Sequence, residues 1–191
     1  MANQKKLLDQ IQQLLERGLF FAEYSKKYKD LYDKKKSQKK DYKHSPNRTM
    51  ICVQNGLYFN EALLNLETLF SREREDEDKE EISFRVLLKG EPKESERYLE
   101  YEKIREEYFD SPLPILRNKF IAHKDLNLTK DPMGGFLNPW RDKWPDKVIY
   151  FYSKLNDYLH NYFDVISNDT FEQFYGDSFD YLYKKLEDDE R

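Results

Sequence analysis

Apolar residues recur at helical spacing along nearly the whole chain, and the first stripe is also the longest. Residues three or four positions apart share one face of a helix. The basic run "DKKKSQKKDYKH" follows this stripe and is expected to interrupt it. The pattern predicts one long N-terminal helix whose inner face contains Leu7, Leu8, Ile11, Leu14, Leu15, Phe21, Tyr24, Tyr28, Leu31 and Tyr32.

A second long helix is predicted from Pro46 to Phe70. Ser45 suits the N-cap position, and a proline at the first helical position has no amide hydrogen to leave unbonded. The apolar residues of this segment again return every three or four positions. Its inner face is predicted to contain Leu57, Leu63, Leu64, Leu66, Leu69 and Phe70.

Five shorter helices are predicted in the rest of the chain. The third is "EISFRVLLKG", closed by Gly90, and the fourth is opened by Pro92 and Ser95. "DSPLP" ends the fourth helix, "LRNKFIAHKD" forms the fifth, and two more are expected over 147–166 and 170–186. Alternation with period two is absent or very short in the sequence. The predicted fold is an all-α, up-and-down bundle of about six to seven helices, in one domain spanning 1–191 with a core of roughly 1–166 and a C-terminal helix at 170–187.

Composition agrees with a folded helical protein. The chain has 191 residues, of which 38% are hydrophobic and 37% charged, and its 15 Tyr, 13 Phe and 2 Trp supply large apolar surfaces. The net charge of −4 argues against an overall electrostatic attraction to nucleic acid but leaves room for a local one. A single cysteine, Cys52, and the lack of an apolar run of about 20 residues indicate a cytoplasmic protein outside the membrane.

The segment from Thr129 to Pro145 contains both tryptophans, Trp140 and Trp144. Long loops in compact domains are often functional. The simpler interpretation is a crossover between helices, pinned by the two tryptophans in the core.

The stretch "LRNKFIAHKD" is the one place where the sequence indicates chemistry. Arg117 and His123 lie six positions apart, which on a helix means about 120° around the axis and roughly 9 Å along it. Leu116 and Phe120 occupy a different row and are expected to pack inward. The helix can therefore be anchored in the core while Arg117, Asn118 and His123 face a cleft.

Cleavage of a phosphodiester suits this set of side chains. Imidazole exchanges protons near neutral pH, and the guanidinium of arginine matches the oxygens of a phosphate. Asn118 can hold either the histidine or the phosphate in place. One histidine is too few for a reaction that needs both a base and an acid, but a two-fold dimer brings a second copy to the axis.

"RNKFIAH" resembles the signature of the HEPN superfamily, an arginine followed after four to six residues by a histidine, and "LRNKFIAHKD" is most similar to its abortive-infection branch. The resemblance implies a dimeric helical bundle and a metal-independent ribonuclease of a toxin–antitoxin or phage-defence system. It places Arg117, Asn118 and His123 in a composite catalytic cleft, with RNA as substrate. Lys119 and Lys124 are weaker candidates for contacts with the substrate. An antitoxin or a nucleotidyltransferase is a possible partner, and no cofactor or metal is expected.

Three alternatives stay open from the sequence. Arg117 can pair with an acidic residue of a neighbouring helix and serve packing alone. The protein can also be a non-catalytic HEPN-like dimer that binds nucleotides, RNA or another protein. Lastly, it can be an accessory subunit of a nucleotidyltransferase.

Other polar residues add weaker hypotheses. Asn60, Glu61, Asn65 and Glu67 of the second helix are candidates for orienting Arg117, with Asn65 and Glu61 preferred. His44 and His160 have no spacing typical of a zinc site, and His160 is predicted to be a partly buried helix residue. The lysines of "KKKSQKKDYK" can bind an RNA backbone, or they can form the solvated end of a helix.

Overall fold

The computed structural model describes residues 2–38, 46–70, 82–117, 143–165 and 170–188. These residues form seven helices and no strand, which confirms the all-α prediction. None of the described helices combines the length and apolar character needed to cross a bilayer. The helices are α1 (Ala2–Gln38), α2 (Pro46–Phe70), α3 (Phe84–Leu87), α4 (Glu96–Asp110), α5 (Leu113–Arg117), α6 (Trp144–Tyr162) and α7 (Thr170–Asp188).

The long helix α1 packs along α2 and also contacts α6 and α7. Its 37 residues span about 55 Å. Helix α1 continues through Lys34 and Lys35 to Gln38, so the first part of the basic run is helical, while its remainder lies outside the described residues. Lys34 Nζ lies 3.1 Å from Glu187 Oε1, and Lys35 Nζ donates to the main-chain oxygen of Glu187 at 3.0 Å. The C-terminal end of α7 therefore supplies partners for these lysines.

Helix α2 begins at Pro46, as predicted, while Ser45 lies outside the described residues. Leu63, Leu66, Leu69 and Phe70 are buried as expected. Leu57 is not, and its predicted place on the inner face is wrong. The larger side chains of Tyr58 and Phe59 set the rotation of α2 about its axis instead. They are buried on the side that faces α1 and the core.

Side-chain caps open the two helices that follow. Ser83 Oγ accepts a hydrogen bond from the Val86 amide at the start of α3, and Ser95 Oγ accepts one from the Tyr98 amide at the start of α4. Gly90 has φ of +94°, a left-handed conformation that favours glycine. The predicted start of α4 at Ser95 is confirmed, whereas α3 is shorter than the predicted "EISFRVLLKG" and ends at Leu87, before Gly90.

Helices α5 and α6 both begin earlier than predicted. The break after α4 is limited to 111–112, and α5 starts at Leu113, whose amide donates to Ser111 Oγ. Helix α6 starts at Trp144 with Pro145 in its first turn and ends at Tyr162, instead of spanning 147–166. Trp144 is buried, as the anchoring interpretation predicts, while Trp140 lies outside the described residues.

Buried tyrosines bond the helices to one another through main-chain oxygens. Tyr152 of α6 donates to the Ala62 carbonyl of α2 at 2.5 Å, and Tyr158 of α6 donates to the Arg97 carbonyl of α4 at 2.9 Å. Tyr101 of α4 donates to the Phe70 carbonyl at 3.4 Å. Each hydroxyl thus satisfies a polar atom that burial would otherwise leave unbonded. Burial raises the pKa of all three hydroxyls.

These raised pKa values predict loss of stability in alkali. The folded chain keeps protons that the unfolded chain releases near pH ~10, so this stability is complete below that pH and falls as pH rises above it. As pH rises, we expect the last tyrosines to ionise, followed by phenolate absorbance, at the same pH at which the helical circular dichroism signal is lost. Complete ionisation of the tyrosines at full helix content would contradict this expectation.

Candidate functional site

Arg117 is the one member of the predicted catalytic set that the structure describes. It is the last residue of α5, a short helix that packs against α2 and α4. Leu113, Pro114 and Leu116 are buried and anchor this helix, so the expected inward packing of Leu116 is confirmed. Asn118, Lys119, His123 and Lys124, like Phe120, lie outside the described residues.

A buried tyrosine connects the helices around Arg117. Tyr108, in the last turn of α4, stacks on Phe70 of α2 with ring centroids 4.3 Å apart. Its hydroxyl donates to Glu67 Oε1 of α2 at 3.0 Å. Burial and the Glu67 carboxylate raise the pKa of Tyr108, and the positive charge of Arg117 opposes them. Arg117 therefore lies within electrostatic reach of a buried hydroxyl that is bonded to a carboxylate.

The Arg117 side chain is partly exposed, but its Nε atom is shielded from solvent. A guanidinium remains charged under all ordinary conditions and binds phosphate oxygens with a planar set of donors. The guanidinium of Arg117 is partly exposed, while the buried apolar residues of α5 hold its helix in place. It can therefore contact an anionic ligand without a large rearrangement. The arrangement thus suits a phosphate contact.

Of the four polar residues of α2 proposed to orient Arg117, Glu67 is the one that accepts a hydrogen bond from Tyr108. The preference for Asn65 or Glu61 as the partner of Arg117 itself stays a prediction. Glu61 Oε1 lies 3.6 Å from Arg17 Nη2 of α1, so that carboxylate turns toward α1. Asn65 is two positions from Glu67, which places the two side chains about 160° apart around the helix. Its Nδ2 atom is buried with no hydrogen-bond partner among the described residues.

Sequence reasoning did not single out Tyr108 as part of the site. A signal was present, because Tyr108 closes the buried stripe of α4 one turn before the "DSPLP" break, and a buried tyrosine hydroxyl needs a partner. What the sequence does not reveal is which of the polar residues of α2 provides it. That choice depends on how α2 and α4 are rotated against each other.

Glu107, the residue before Tyr108, belongs to a separate surface cluster. Tyr150 Oη donates to Glu107 Oε1 at 2.6 Å, and Lys154 Nζ donates to Glu107 Oε2 at 2.5 Å. The hydrogen bond from Lys154, followed by the one from Tyr150, lowers the pKa of Glu107. These side chains satisfy one another and join α4 to α6 next to the candidate site.

The remaining histidines and the basic run do not join this site in the described structure. His160 is exposed on α6, so its predicted partial burial is wrong; Tyr158 and Leu159 occupy the buried face at that level. His44 lies outside the described residues. Lys34 and Lys35 lie in the last turns of α1, as the helix-end interpretation of the basic run predicts, but Lys35 is buried and bonded to Glu187 instead of solvated; residues 39–45 are not described.

Comparisons of the chain with models of known protein families, with curated proteins and with solved structures found no significant match. Membership of the HEPN superfamily therefore stays a prediction that rests on "LRNKFIAHKD". The class established by the structure is an all-α helical bundle.

Proposed function

We propose that this protein is a metal-independent endoribonuclease of the HEPN type, acting in a toxin–antitoxin or phage-defence system. The observation that supports the proposal best is the placement of Arg117 on α5, a helix anchored by buried apolar residues, within electrostatic reach of the Tyr108 hydroxyl that is bonded to Glu67. Arginine held in this way can bind a phosphate of the RNA backbone.

In the proposed reaction the RNA 2′-hydroxyl attacks the adjacent phosphorus, and the bond from phosphorus to the 5′-oxygen breaks. His123 takes the proton from the 2′-hydroxyl, and the second copy of His123 in a dimer protonates the leaving 5′-oxygen. Arg117 stabilises the negative charge that develops on the phosphate oxygens. Asn118 positions the phosphate or the histidine, and Lys119 and Lys124 contact the RNA backbone.

The test is cleavage of a mixed RNA pool by the purified protein in the presence of EDTA. We expect the parent protein to cleave, and His123→Ala and Arg117→Ala to be slower by about 100-fold or more. His160→Ala is the matched control, because it removes an exposed histidine of α6 and is expected to leave the rate unchanged. Circular dichroism checks that all variants fold.

A second readout distinguishes this chemistry from contamination. RNA with a single 2′-deoxy substitution at the cleaved position should resist cleavage, and the normal product should carry a cyclic phosphate. Absence of cleavage by the parent, or equal cleavage by His123→Ala, would contradict the proposal and favour a non-catalytic binding protein.

A further inference from the structure

Helix α7 lies on α1 through pairs of opposite charge. Asp180 Oδ1 accepts a hydrogen bond from the Tyr24 hydroxyl at 2.6 Å and lies 3.6 Å from Lys27 Nζ. The same ammonium lies 4.2 Å from the centre of the Tyr24 ring. Two turns further along both helices, Glu187 Oε1 lies 3.1 Å from Lys34 Nζ. The two carboxylates of α7 therefore have the same spacing as two lysines on one face of α1, about 10 Å along the axis.

Aromatic side chains of α7 pack on the same part of the bundle. The ring centroid of Phe179 lies 5.3 Å from that of Tyr24 in α1 and 5.3 Å from that of Tyr58 in α2. Tyr183, one turn later, meets the ring of Tyr28 edge-on at 5.6 Å. Helix α7 thus covers a group of aromatic rings that is bordered by lysines.

The part of α1 that α7 meets differs in charge from the chain as a whole. Residues 25–36, "SKKYKDLYDKKK", contain six lysines and two aspartates, a net charge of +4, whereas the whole chain carries −4. Helix α7 contains five acidic residues and two lysines, a net charge of −3. A local basic surface is the electrostatic condition for binding a nucleic acid, and here an acidic helix neutralises it.

Aromatic rings bordered by lysines suit single-stranded RNA. Bases stack on aromatic side chains with little regard to their sequence, and lysines displace the counterions of the phosphates. Helix α7 offers the same two kinds of group in the same places. Phe179 and Tyr183 supply rings, and Asp180 and Glu187 supply negative charge. It therefore meets this surface much as a short strand of RNA would.

The contacts of α7 are also of a kind that a ligand can replace. Among its side chains whose burial is described, most are exposed or only partly buried. The side chains of the Lys34–Glu187 pair are 55% and 37% exposed, and both side chains of the Lys27–Asp180 pair are 47% exposed. Exposed ion pairs contribute little to stability and are screened by salt. A polyanion that binds the same lysines can therefore compete with α7.

We propose that α7 is a displaceable cover on a surface that binds single-stranded RNA, formed by Tyr24, Lys27, Tyr28 and Lys34 of α1 with Tyr58 of α2. Phosphates of the RNA take the places of the two carboxylates of α7, and bases take the places of its two rings. The choice of RNA as the ligand rests on the proposed ribonuclease function.

This surface is separate from the surroundings of Arg117. Tyr58 contacts Phe179 of α7, whereas Glu67 is bonded to the tyrosine whose hydroxyl lies within electrostatic reach of Arg117. Tyr58 and Glu67 are nine positions apart on α2, about 14 Å along the axis. Variants of the surface are therefore expected to change the affinity for RNA and the KM for cleavage, and to leave kcat unchanged.

The first test is the affinity of the purified protein for 2′-O-methyl oligouridine, an RNA that lacks the attacking hydroxyl, measured by fluorescence anisotropy. The double variant Asp180→Asn, Glu187→Gln loosens α7 and is expected to bind about tenfold more tightly, because the apparent Kd falls as the open fraction rises. Asp177→Asn with Asp188→Asn is the matched control, since both residues are exposed on α7 and the change in net charge is the same. Equal affinities of the two double variants would overturn the proposal.

Replacing the lysines separates a binding role from a structural one. Lys27→Gln with Lys34→Gln removes partners of α7 and so also loosens it, yet the affinity for oligouridine should fall by about tenfold because the phosphates lose two contacts. If these lysines served only to hold α7, the affinity would stay the same or rise, which would refute the proposal. Lys5→Gln with Lys6→Gln, at the exposed start of α1, changes the charge equally and should have a smaller effect.

A buried thiol reports the displacement itself. In a Cys52→Ala background, Leu186→Cys places a cysteine at the buried position of α7, and its reaction with a thiol reagent should become about fivefold faster or more when oligouridine saturates the protein. Leu159→Cys, on the buried face of α6, should stay protected. A thiol at position 186 that reacts no faster with RNA bound would show that RNA binds without moving α7, and would refute the cover.

The outcomes also separate the cover from the nuclease. RNA that displaces α7 and binds the lysines, with no cleavage by the parent protein, would uphold the cover and refute the proposed function. Cleavage that depends on His123, with parent affinity in both charge variants and a protected thiol at position 186, would uphold the nuclease and refute the cover. Tighter binding after loosening of α7, weaker binding after loss of the lysines, and a thiol exposed by RNA are the expected results.

Discussion

Replacing Gly18 by alanine is expected to lower the free energy of unfolding by about 3 kcal/mol, although alanine is the better helix former. Gly18 lies in α1 where that helix meets α6, and a Cβ atom added there would overlap the hydroxyl and the ring of Tyr152. Tyr152 is fully buried and donates to the Ala62 carbonyl of α2 at 2.5 Å. The ring cannot move aside without losing that bond, so overpacking and an unsatisfied buried polar group add to the cost.

Gly56 provides the matched control for this substitution. It also lies inside a long helix, but a Cβ atom added there would have no neighbour within 4 Å. Gly56→Ala is therefore expected to raise the free energy of unfolding by roughly 0.5 to 1 kcal/mol, through backbone entropy and helix propensity alone. Urea unfolding followed by circular dichroism measures both. Equal effects of the two substitutions would show that α1 and α6 do not meet as described.

Replacing Tyr108 by alanine is expected to cost about 4 kcal/mol, because a large aromatic ring is removed from a filled core. Tyr108 stacks on Phe70 at 4.3 Å and meets Phe151 edge-on at 5.3 Å. These contacts join the ends of α2 and α4 to α6, close to the start of α5. Thermal and urea unfolding measure the loss. A cost below about 1 kcal/mol would contradict this packing.

The conservative variant Tyr108→Phe separates packing from the hydrogen bond to Glu67. It keeps the ring and should cost only about 1 kcal/mol. If the proposed function is correct, RNA cleavage by Tyr108→Phe should fall, because the variant removes the hydroxyl that lies within electrostatic reach of Arg117 and leaves Glu67 without this donor. Tyr101→Phe is the control, since it removes a buried hydroxyl from the same helix that bonds to the Phe70 carbonyl instead. Equal cleavage rates in the two variants would assign Tyr108 a packing role only.

Local signals in the sequence predict much of this fold. Ser95 opens α4 through a hydrogen bond to an amide three positions away, so its role can be inferred without knowledge of the rest of the chain. The periodic stripe of α1 likewise identifies its buried face. For the same reason the helical class and the approximate number of helices follow from the pattern.

The errors in the prediction concern contacts between distant segments. Leu57 has the chemistry of a core residue, but the rotation of α2 is decided by the larger side chains of Tyr58 and Phe59. The contacts of Lys34 and Lys35 at the end of α1 with Glu187 are likewise not visible in the sequence. No local pattern contains this information.

The candidate site also has one part that the sequence reveals and another that depends on how the helices pack. Arg117 stands out in the sequence because its motif is contiguous. The pairing of Tyr108 with Glu67 joins residues 41 positions apart and depends on the packing of α4 against α2. Membership of the HEPN superfamily and the roles of Asn118 and His123 stay predictions.

The contacts between α1 and α7 have a consequence for the order of folding. Tyr24 donates to Asp180 Oδ1 across 156 positions, and Lys34 meets Glu187 across 153. Helices α1 and α2, by contrast, are neighbours in sequence and form the most extensive pair in the bundle. Contacts between sequence neighbours close short loops and form early, whereas α7 must close the longest loop of the molecule. Among its side chains whose burial is described, Leu186 alone is buried. We therefore expect α7 to dock after α1 and α2 have paired and to open before they separate, so that its amide hydrogens exchange with solvent ahead of those in α1 and α2.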